Sequence, residues 1–402
     1  MTDVAAPEYD VAIVGGGLAG QLCALALAER APSLSVALIE RGERLGGNQT
    51  WCCHGSDLRL LPGGSSTATW LSSLADHVWS GYQVRFPRLD RVLDGDYLCL
   101  RSESLARATE RALLRPGCDL LTGKAVVEVT SRRVTFADGA TVAARVVLDA
   151  RGAALADYDG RCGYQKFVGW EISLDAKSGG VPALPVLMDA TVEQLDGYRF
   201  AYVLPFSPTR LLVEDTYFSR DKGLDVERVR TRLREYLGTR GWGSATLLRE
   251  EAGILPMPWA SGRGVGGALA IGYRGGLFHP GTGYSLARAA LVAETFARVA
   301  ASTERGALPR AAEDTLVELR LAWRSDDRFG RWLNRLAFCV VPGGWLRDGV
   351  FERVYRLPAA VLARFYAGRT SLFDRIAIAT APVTNSLFRR TERPLPLLGE
   401  TP

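Results

Sequence analysis

The chain has 402 residues, of which 47% are hydrophobic, 23% charged and 9% aromatic. This is a globular composition with ample material for a core, and it excludes a disordered or fibrous protein. The net charge of +5 is uneven, because Arg320 to Arg393 holds 14 Arg, no Lys and 6 acidic residues, net +8, leaving −3 for the remainder.

The first residues, MTDVAAPEYD, lack a basic and apolar leader pattern, and no run of about 18 apolar residues occurs, so neither export nor a membrane span is expected. Seven scattered cysteines without a C-x-x-C and only three histidines argue for a reducing compartment and against a disulfide framework or a metal site. Tyr9 to Val14 is a β-branched apolar run that predicts a strand. Gly15, Gly17 and Gly20 follow as G-x-G-x-x-G, then Gln21 to Ala31 as a helix stopped by Pro32, then Leu34 to Ile39 as a second strand. The first glycine allows a tight turn, the second lets a pyrophosphate approach the backbone, and the third lets helix pack closely on strand. Glu40, at the end of the second strand, is placed to bind the ribose hydroxyls of an adenosine. The next loop, Arg41 to Gly47, resembles that of flavoproteins binding FAD rather than dehydrogenases binding NAD. Gly262-x-Gly264-x-Gly266 precedes its strand, Ala268 to Ile271, and reads as a loop. With one dinucleotide fingerprint only, NADPH or NADH is expected to bind transiently as reductant, or an external partner supplies electrons.

Ser102 to Leu114 predicts a helix, Lys124 to Thr130 and Val134 to Phe136 a hairpin turning at Asp138-Gly139, and Arg145 to Asp149 an apolar strand. This layout resembles the FAD domain of aromatic hydroxylases. Residues 160–218, rich in strand formers and aromatics, predict a sheet roofing a substrate pocket. The charged helix Val226 to Leu237 follows, and the chain returns through Ala268 to Ile271 to a helix from Ser285 to Ala300. The expected fold class is α/β: a Rossmann-type FAD-binding domain of the glutathione-reductase and aromatic-hydroxylase kind, an interleaved β-sheet substrate domain and a C-terminal helical region. The boundaries are 1–50, 101–158 and 251–302 for the FAD domain, 51–100 and 159–250 for the substrate sheet, and 303–402 for the helical, membrane-proximal region. Among the C-terminal arginines stand Trp323, Phe329, Trp332, Phe338, Trp345, Phe351, Tyr355, Phe365, Tyr366 and Phe373. Arg heads can meet lipid phosphates while rings sit at the interface, which suits peripheral attachment to the inner face of the cell membrane. The competing reading is a helical cap with a basic solvated face. No motif for nucleic acid accompanies the charge.

Five segments, Gly46 to Leu58, Gly163 to Ile172, Leu187 to Ser219, Gly276 to Leu286 and Tyr355 to Arg369, together resemble the bacterial lycopene β-cyclase family over nearly the whole chain. One departure is Cys52-Cys53 after Trp51, where that family usually has Ser-Phe. The resemblance implies carotenoid biosynthesis. Its redox-neutral reaction folds the ψ end of lycopene, or a related acyclic carotene, into a β-ionone ring, with reduced FAD as cofactor and other carotenoid-pathway enzymes as partners. Protonation, ring closure and proton loss require an acid, stabilisation of a cation and exclusion of water. Glu214 and Asp215 lie side by side in the strand Leu211 to Phe218, and alternation puts them on opposite faces, so only one can enter a common pocket. The resemblance implies Glu214 as acid and base, with Asp215 supporting; the competing reading makes Glu214 an arginine-paired structural carboxylate. Trp51, Trp170, Tyr198, Phe200, Tyr202 and Phe278, with His54, are the pocket candidates, each also readable as core. Backbone amides at Gly281, Thr282 and Gly283, before the last FAD-domain helix, offer a seat for anionic reduced flavin. His279 is a candidate proton carrier, with a role in structuring that loop or touching the flavin as the favoured reading. Two rivals stand beside the cyclase: an FAD-dependent monooxygenase or prenyl reductase acting on an isoprenoid, and a flavin-bearing carotenoid carrier without turnover. Gly272-Tyr273-Arg274, where hydroxylases carry Gly-Asp, counts against the first.

Overall fold

The computed structural model describes residues 8–46, 49–61, 63–153, 155–158, 160–175, 178–195, 197–262, 267–340 and 349–381. The expected loop at Gly264 and Gly266, and Trp345, lie outside them. The chain opens with β1 (Tyr9–Val14), α1 (Leu18–Arg30) and β2 (Val36–Ile39). Because β1 is covered on both sides, its apolar run shows no in-out alternation, and Val11, Ala12 and Ile13 are wholly buried. Alanines let α1 pack closely on its neighbours, so it too is buried almost all round. Then come β3 (Thr50–His54), α2 (Ser56–Arg59), α3 (Gly64–Leu74), β4 (His77–Phe86), β5 (Leu89–Arg101), α4 (Ser102–Ala112), β6 (Cys118–Leu121), β7 (Val126–Val129), β8 (Arg133–Phe136) and β9 (Thr141–Asp149).

Next are β10 (Cys162–Ser173), β11 (Val186–Asp189), β12 (Tyr198–Ser207), β13 (Arg210–Ser219), α5 (Val226–Thr239), β14 (Thr246–Pro258) and β15 (Leu269–Ala270). The strands form two sheets. The first has the order β6-β2-β1-β9-β8-β7 with β15 also on β9; β6, β2, β1, β9 and β15 run parallel, and β7 and β8 form the antiparallel hairpin. The second has the order β14-β10-β13-β12-β11-β4-β5-β3, antiparallel except between β11 and β4. The boundary expected at residue 251 falls inside β14, which stays in the second sheet to Pro258.

One face of the second sheet packs on α5 through Val168, Trp170, Leu211, Val213, Leu233 and Trp242. The other face looks toward the first sheet. Asp225 caps α5 by accepting from Arg228 N–H at 3.1 Å. On the α5 side, buried Arg199 and Asp215 form a fork, with Nε at 2.9 and 3.0 Å and Nη2 at 2.7 Å from the carboxylate oxygens.

The remaining helices are α6 (Leu286–Ser302), α7 (Leu308–Arg335, continued by a π turn, Leu336–Val340), α8 (Val350–Val354), α9 (Ala359–Tyr366) and α10 (Leu372–Thr380). They correct the expected display of C-terminal aromatics. Trp323, Phe338 and Tyr355 are buried, and only Trp332 and Phe373 among the described ones are exposed. Trp323 lies under the Arg288 guanidinium, 4.7 Å from its ring centre. Among the described residues no helix is long and apolar enough to cross a membrane.

Removing one partner of a buried ion pair strands the other charge at a cost of about 3–5 kcal/mol. Asp215→Ala should therefore lower the unfolding free energy by about that amount in denaturant titration. Substitution of Arg199 by Met should do likewise, and the double variant should cost less than the sum of the two.

Candidate active site between the two sheets

A cavity of about 1200 Å³ runs from the carboxyl end of β1 to the inner face of the second sheet. That exceeds the roughly 300–1,000 Å³ of ordinary ligand pockets and leaves room for a dinucleotide beside a second ligand. At the first end, Gly15 has φ +111°, and a Cβ there would stand 2.7 Å from the Ala150 carbonyl oxygen. A Cβ at Gly20 would collide with the Gly15 carbonyl, whereas one at Gly17 meets nothing within 4 Å and would project into open space. Gly17 caps α1 without any side-chain bond, so the helix amides stay available to an anion. Glu40 lines the same end while accepting from Gly16 N–H at 2.7 Å and Gly42 N–H at 2.8 Å, which fixes its carboxylate toward the cavity mouth. Arg41 adds positive charge there, while Lys124 and Arg151 line it paired with Asp138 and Asp149. The residues therefore fit a dinucleotide.

Gly281, Thr282 and Gly283 form the middle of the wall, just before α6. Their loop is tied by Gly283 N–H to the His279 carbonyl at 2.8 Å and by His279 N–H to the Tyr284 carbonyl at 2.8 Å. His279 sits behind it, Nδ1 3.1 Å from Thr282 Oγ1 and its ring edge-on to Phe365. Burial pushes its pKa down to about 3, so it is neutral and shapes the loop. Asn334 of α7 donates to the carbonyls of Pro258 at 2.9 Å and Pro280 at 2.7 Å, locking helix, β14 and loop together. Tyr273 holds the position where hydroxylases carry the acid, and its hydroxyl donates to the Gly283 carbonyl.

The far end belongs to the second sheet. Glu214, Thr216 and Phe218 of β13 face the cavity, with Phe200 and Tyr202 of β12 and Cys52 of β3, while Trp51, out of phase with Cys52, borders the cavity from the side of the first core. Cys53, one residue on, faces the core and is fully buried. The arginine-paired carboxylate is Asp215, not Glu214. Burial first, then the neighbouring Glu251 carboxyl, holds the Glu214 acid well above the ordinary glutamate range, which favours its protonated form.

Four expected wall residues stand elsewhere. Trp170 lies opposite Val213 and Glu250, one residue out of phase with Gly169 and Glu214, so it faces α5 and donates to Glu250 at 2.8 Å. Phe278 stacks on Tyr273, 4.3 Å between centres, behind the loop. Tyr198 packs on Phe351 and borders a separate 350 Å³ cavity. His54 is a layer back, enclosed by the rings of Tyr82, Tyr97, Tyr284 and Tyr366, and burial pushes its pKa to about 3. The wall includes aromatics that sequence reasoning had set on a membrane: Phe338, Phe351, Tyr355, Phe365 and Tyr366. It also includes Tyr97, whose hydroxyl bridges those of Tyr202 at 2.7 Å and Tyr284 at 3.0 Å. No sequence signal separated these from core.

A model of the family described as lycopene cyclase protein matches residues 10–391. The chain is 38% identical over 384 residues to the lycopene beta-cyclase of Pantoea ananas, covering 92% of this chain and 94% of that one. It is 37% identical over 404 residues to the lycopene beta-cyclase of a Paracoccus species, covering 96% and 98%. Among solved structures, a geranylgeranyl bacteriochlorophyll reductase-like protein of Thermoplasma acidophilum aligns with a TM-score of 0.59 at 14% identity, covering 93% and 96%. A probable FAD-dependent monooxygenase of Pseudomonas aeruginosa aligns at 0.55 and 18% identity, covering 94% and 100%. Both share the fold.

The open space above Gly17 separates folding from dinucleotide binding. Gly17→Val should leave the far-ultraviolet circular dichroism spectrum unchanged while the purified protein loses its flavin absorbance, whereas Gly20→Val should abolish soluble protein.

Proposed function

The chain belongs to the lycopene cyclase protein family, and we propose that it is an isomerase that cyclises the ψ ends of lycopene, or a related acyclic carotene, to β-ionone rings. The observation that carries this reading is the place of Glu214, a carboxyl set among Phe200, Tyr202 and Phe218 on the wall of the cavity whose other end fits a dinucleotide. In the proposed division of the chain, residues 1–50, 101–158 and 259–302 serve FAD, β3–β5 and β10–β14 the carotene, and the C-terminal helices the membrane. The turn at Gly15 and Gly17 with the start of α1 would hold the pyrophosphate, Glu40 the ribose, and the loop at Gly281 before α6 an anionic ring edge, the Thr282 and Gly283 amides being turned back onto the His279 carbonyl at 3.3 and 2.8 Å. Reduced FAD, when bound, supplies negative charge beside the cation without net redox. NADPH or NADH is its proposed transient reductant.

Glu214 delivers the proton to the terminal double bond, and the faces of Phe200 and Tyr202 stabilise the tertiary cation. Phe338, Phe351, Phe365 and Tyr366 exclude the water that would trap it. Asp215 positions β13 through Arg199. The oxidoreductase rival shares the fold of the neighbours, but reductant consumed per ring formed separates the two.

The proposed location is the inner face of the cell membrane, where enzymes that make the carotene would be partners. One face of α10 contributes Ile378 to the cavity wall, while Leu372 and Phe373 on the other are 70% and 83% exposed, beside exposed Arg369. A carotene would pass from lipid past α10 into the cavity. Arg364, which binds Asp374 at 2.6 and 2.8 Å, is structural.

Glu214→Gln keeps shape but removes acidity, so folding and flavin content should persist while cyclisation falls by about 10²-fold or more. In heavy water the wild-type product should carry deuterium on the carbon that accepts the proton. One nicotinamide oxidised per ring, with unlabelled product, would return the assignment to the oxidoreductase. Liposome sedimentation should weaken with rising salt and fall when Arg369 is neutralised together with Phe373→Ser, and salt-independent sedimentation would refute the docking.

A further inference from the structure

We propose that Glu251 of β14 is the proton partner of Glu214: the two carboxyls meet across Gly169, hold one proton between them, and Glu251 sets the acidity of Glu214 as a positioning residue outside the cavity. The proposal deepens the cyclase reading and rests on it. Its geometry begins with register. In β10, Gly169 lies opposite Glu214 on one side and opposite Glu251 on the other. The two glutamates are thus two strand spacings apart, roughly 10 Å, and any side chain between them on that face would keep them separate. Gly169 has none: a Cβ there would stand 2.7 Å from Glu214 Cγ and 3.2 Å from Glu251 Cγ. Through that gap the carboxyls are in hydrogen-bonding contact.

Glu251 is buried and Glu214 half-buried at the cavity wall, and two carboxyls in contact in such a setting do not both ionise, so one proton is shared. The surroundings say where it resides. Glu251 Oε2 accepts from Thr50 Oγ1 at 3.0 Å and lies 2.7 Å from Arg249 Nη1. Arg249 in turn donates from Nε to Glu171 at 3.1 Å and from Nη2 to Thr50 at 2.9 Å. Glu251 therefore has a cation and a hydroxyl to hold its anion, while Glu214 faces Leu212 and Thr216 on its own strand and the apolar cavity. The charged and titratable groups around the pair are Arg249 on β14, Cys52 on β3, Cys99 on β5, and Glu171 further along β10. Arg249 is the cation that meets Glu251 and is shared with Glu103 and Glu171, while Arg101 of β5 and Arg210 of β13 are also held on Glu171.

In the reaction the Glu214 O–H bond breaks and its electron pair stays on the carboxylate. The proton forms the new C–H bond with the π pair of the terminal alkene, leaving the tertiary carbon cationic. After ring closure, a C–H bond next to the ring cation breaks, its pair forms the ring double bond, and its proton returns to Glu214. Substrate and product are isomers, and the protein ends with the protons it began with. The Glu251 anion favours the cation electrostatically and makes Glu214 basic enough to take the last proton back, at the expense of its strength as an acid.

The test is Glu251→Gln, which keeps the hydrogen-bonding shape and removes the charge. Glu214 acts in its protonated form, so activity falls as pH rises through its pKa. The Glu251 anion raises that pKa, and its removal should move the alkaline limb of the rate profile down by about one pH unit or more. Gly169→Ala, which separates the carboxyls, should move the limb the same way. Glu250→Gln, on the opposite face, should leave it in place. Infrared difference spectra supply a readout independent of turnover: the protonated carboxyl band of the wild type should vanish in Glu214→Gln and shift in Glu251→Gln. An unmoved limb and an unmoved band in Glu251→Gln would overturn the dyad with the cyclase intact. A shifted band in a protein that forms no ring from lycopene would instead overturn the cyclase reading and leave the carboxyl pair standing.

Discussion

The ion pair between Arg199 and Asp215 fixes the register on which the cavity chemistry depends. A strand that slips by one residue exchanges its two faces. On β13 that exchange would turn Asp215 into the cavity and send Glu214 toward α5. The guanidinium fork pins β12 to β13 from the helix side, within an apolar layer that includes Leu211, Val213 and Leu233. Charge is thus neutralised on one face and left as a neutral acid on the other. The same parity sends Trp170 to α5 and leaves Gly169 on the cavity side.

The cavity keeps opposite electrostatic requirements apart by distance. Its first end is built from the backbone amides at the start of α1 and Arg41, a setting for negative charge. Its far end is a protonated carboxyl among rings, a setting in which developing positive charge is favoured. Between them His279 and His54 are kept neutral by burial, so neither adds a competing proton source near neutral pH. Both hold rings and loops in place instead.

Closure of the far end falls to the C-terminal helices. Asn334 anchors α7 to β14 and to the loop at Pro280, and Asp326 binds Thr370 N–H at 2.9 Å, joining α7 to the turn before α10. Phe351, Phe365 and Tyr366 then close over the second sheet. The arginines interleaved with them point outward or pair with Asp326, Glu352 and Asp374. An aromatic-basic alternation that suits a membrane surface is here largely a helical lid, with Leu372, Phe373 and Ile376 of α10 among the apolar side chains on its outer face.

The sequence by itself determined the elements whose signals are local. The strand, three glycines, helix and Glu40 follow from turn sterics and period, and they lie where the pattern put them. Alternation along β13 likewise assigned Glu214 and Asp215 to opposite faces without any knowledge of the fold. Tertiary structure alone decided which face was the cavity for a strand far away in the chain. Trp170, Tyr198 and Phe278 have the right chemistry but lie behind or beside the wall: the face of Trp170 is set by Val213 and Glu250 on neighbouring strands, Tyr198 is covered by Phe351 from the C-terminal helices, and Phe278 is layered behind Tyr273. The pairing of Glu214 with Glu251 is of the same kind. It needs two strands brought to either side of a third and a glycine at the crossing, and no window of sequence contains all three. Burial, too, is a property of the assembled layers, so only the fold could separate the C-terminal aromatics that line the cavity from the two that meet solvent.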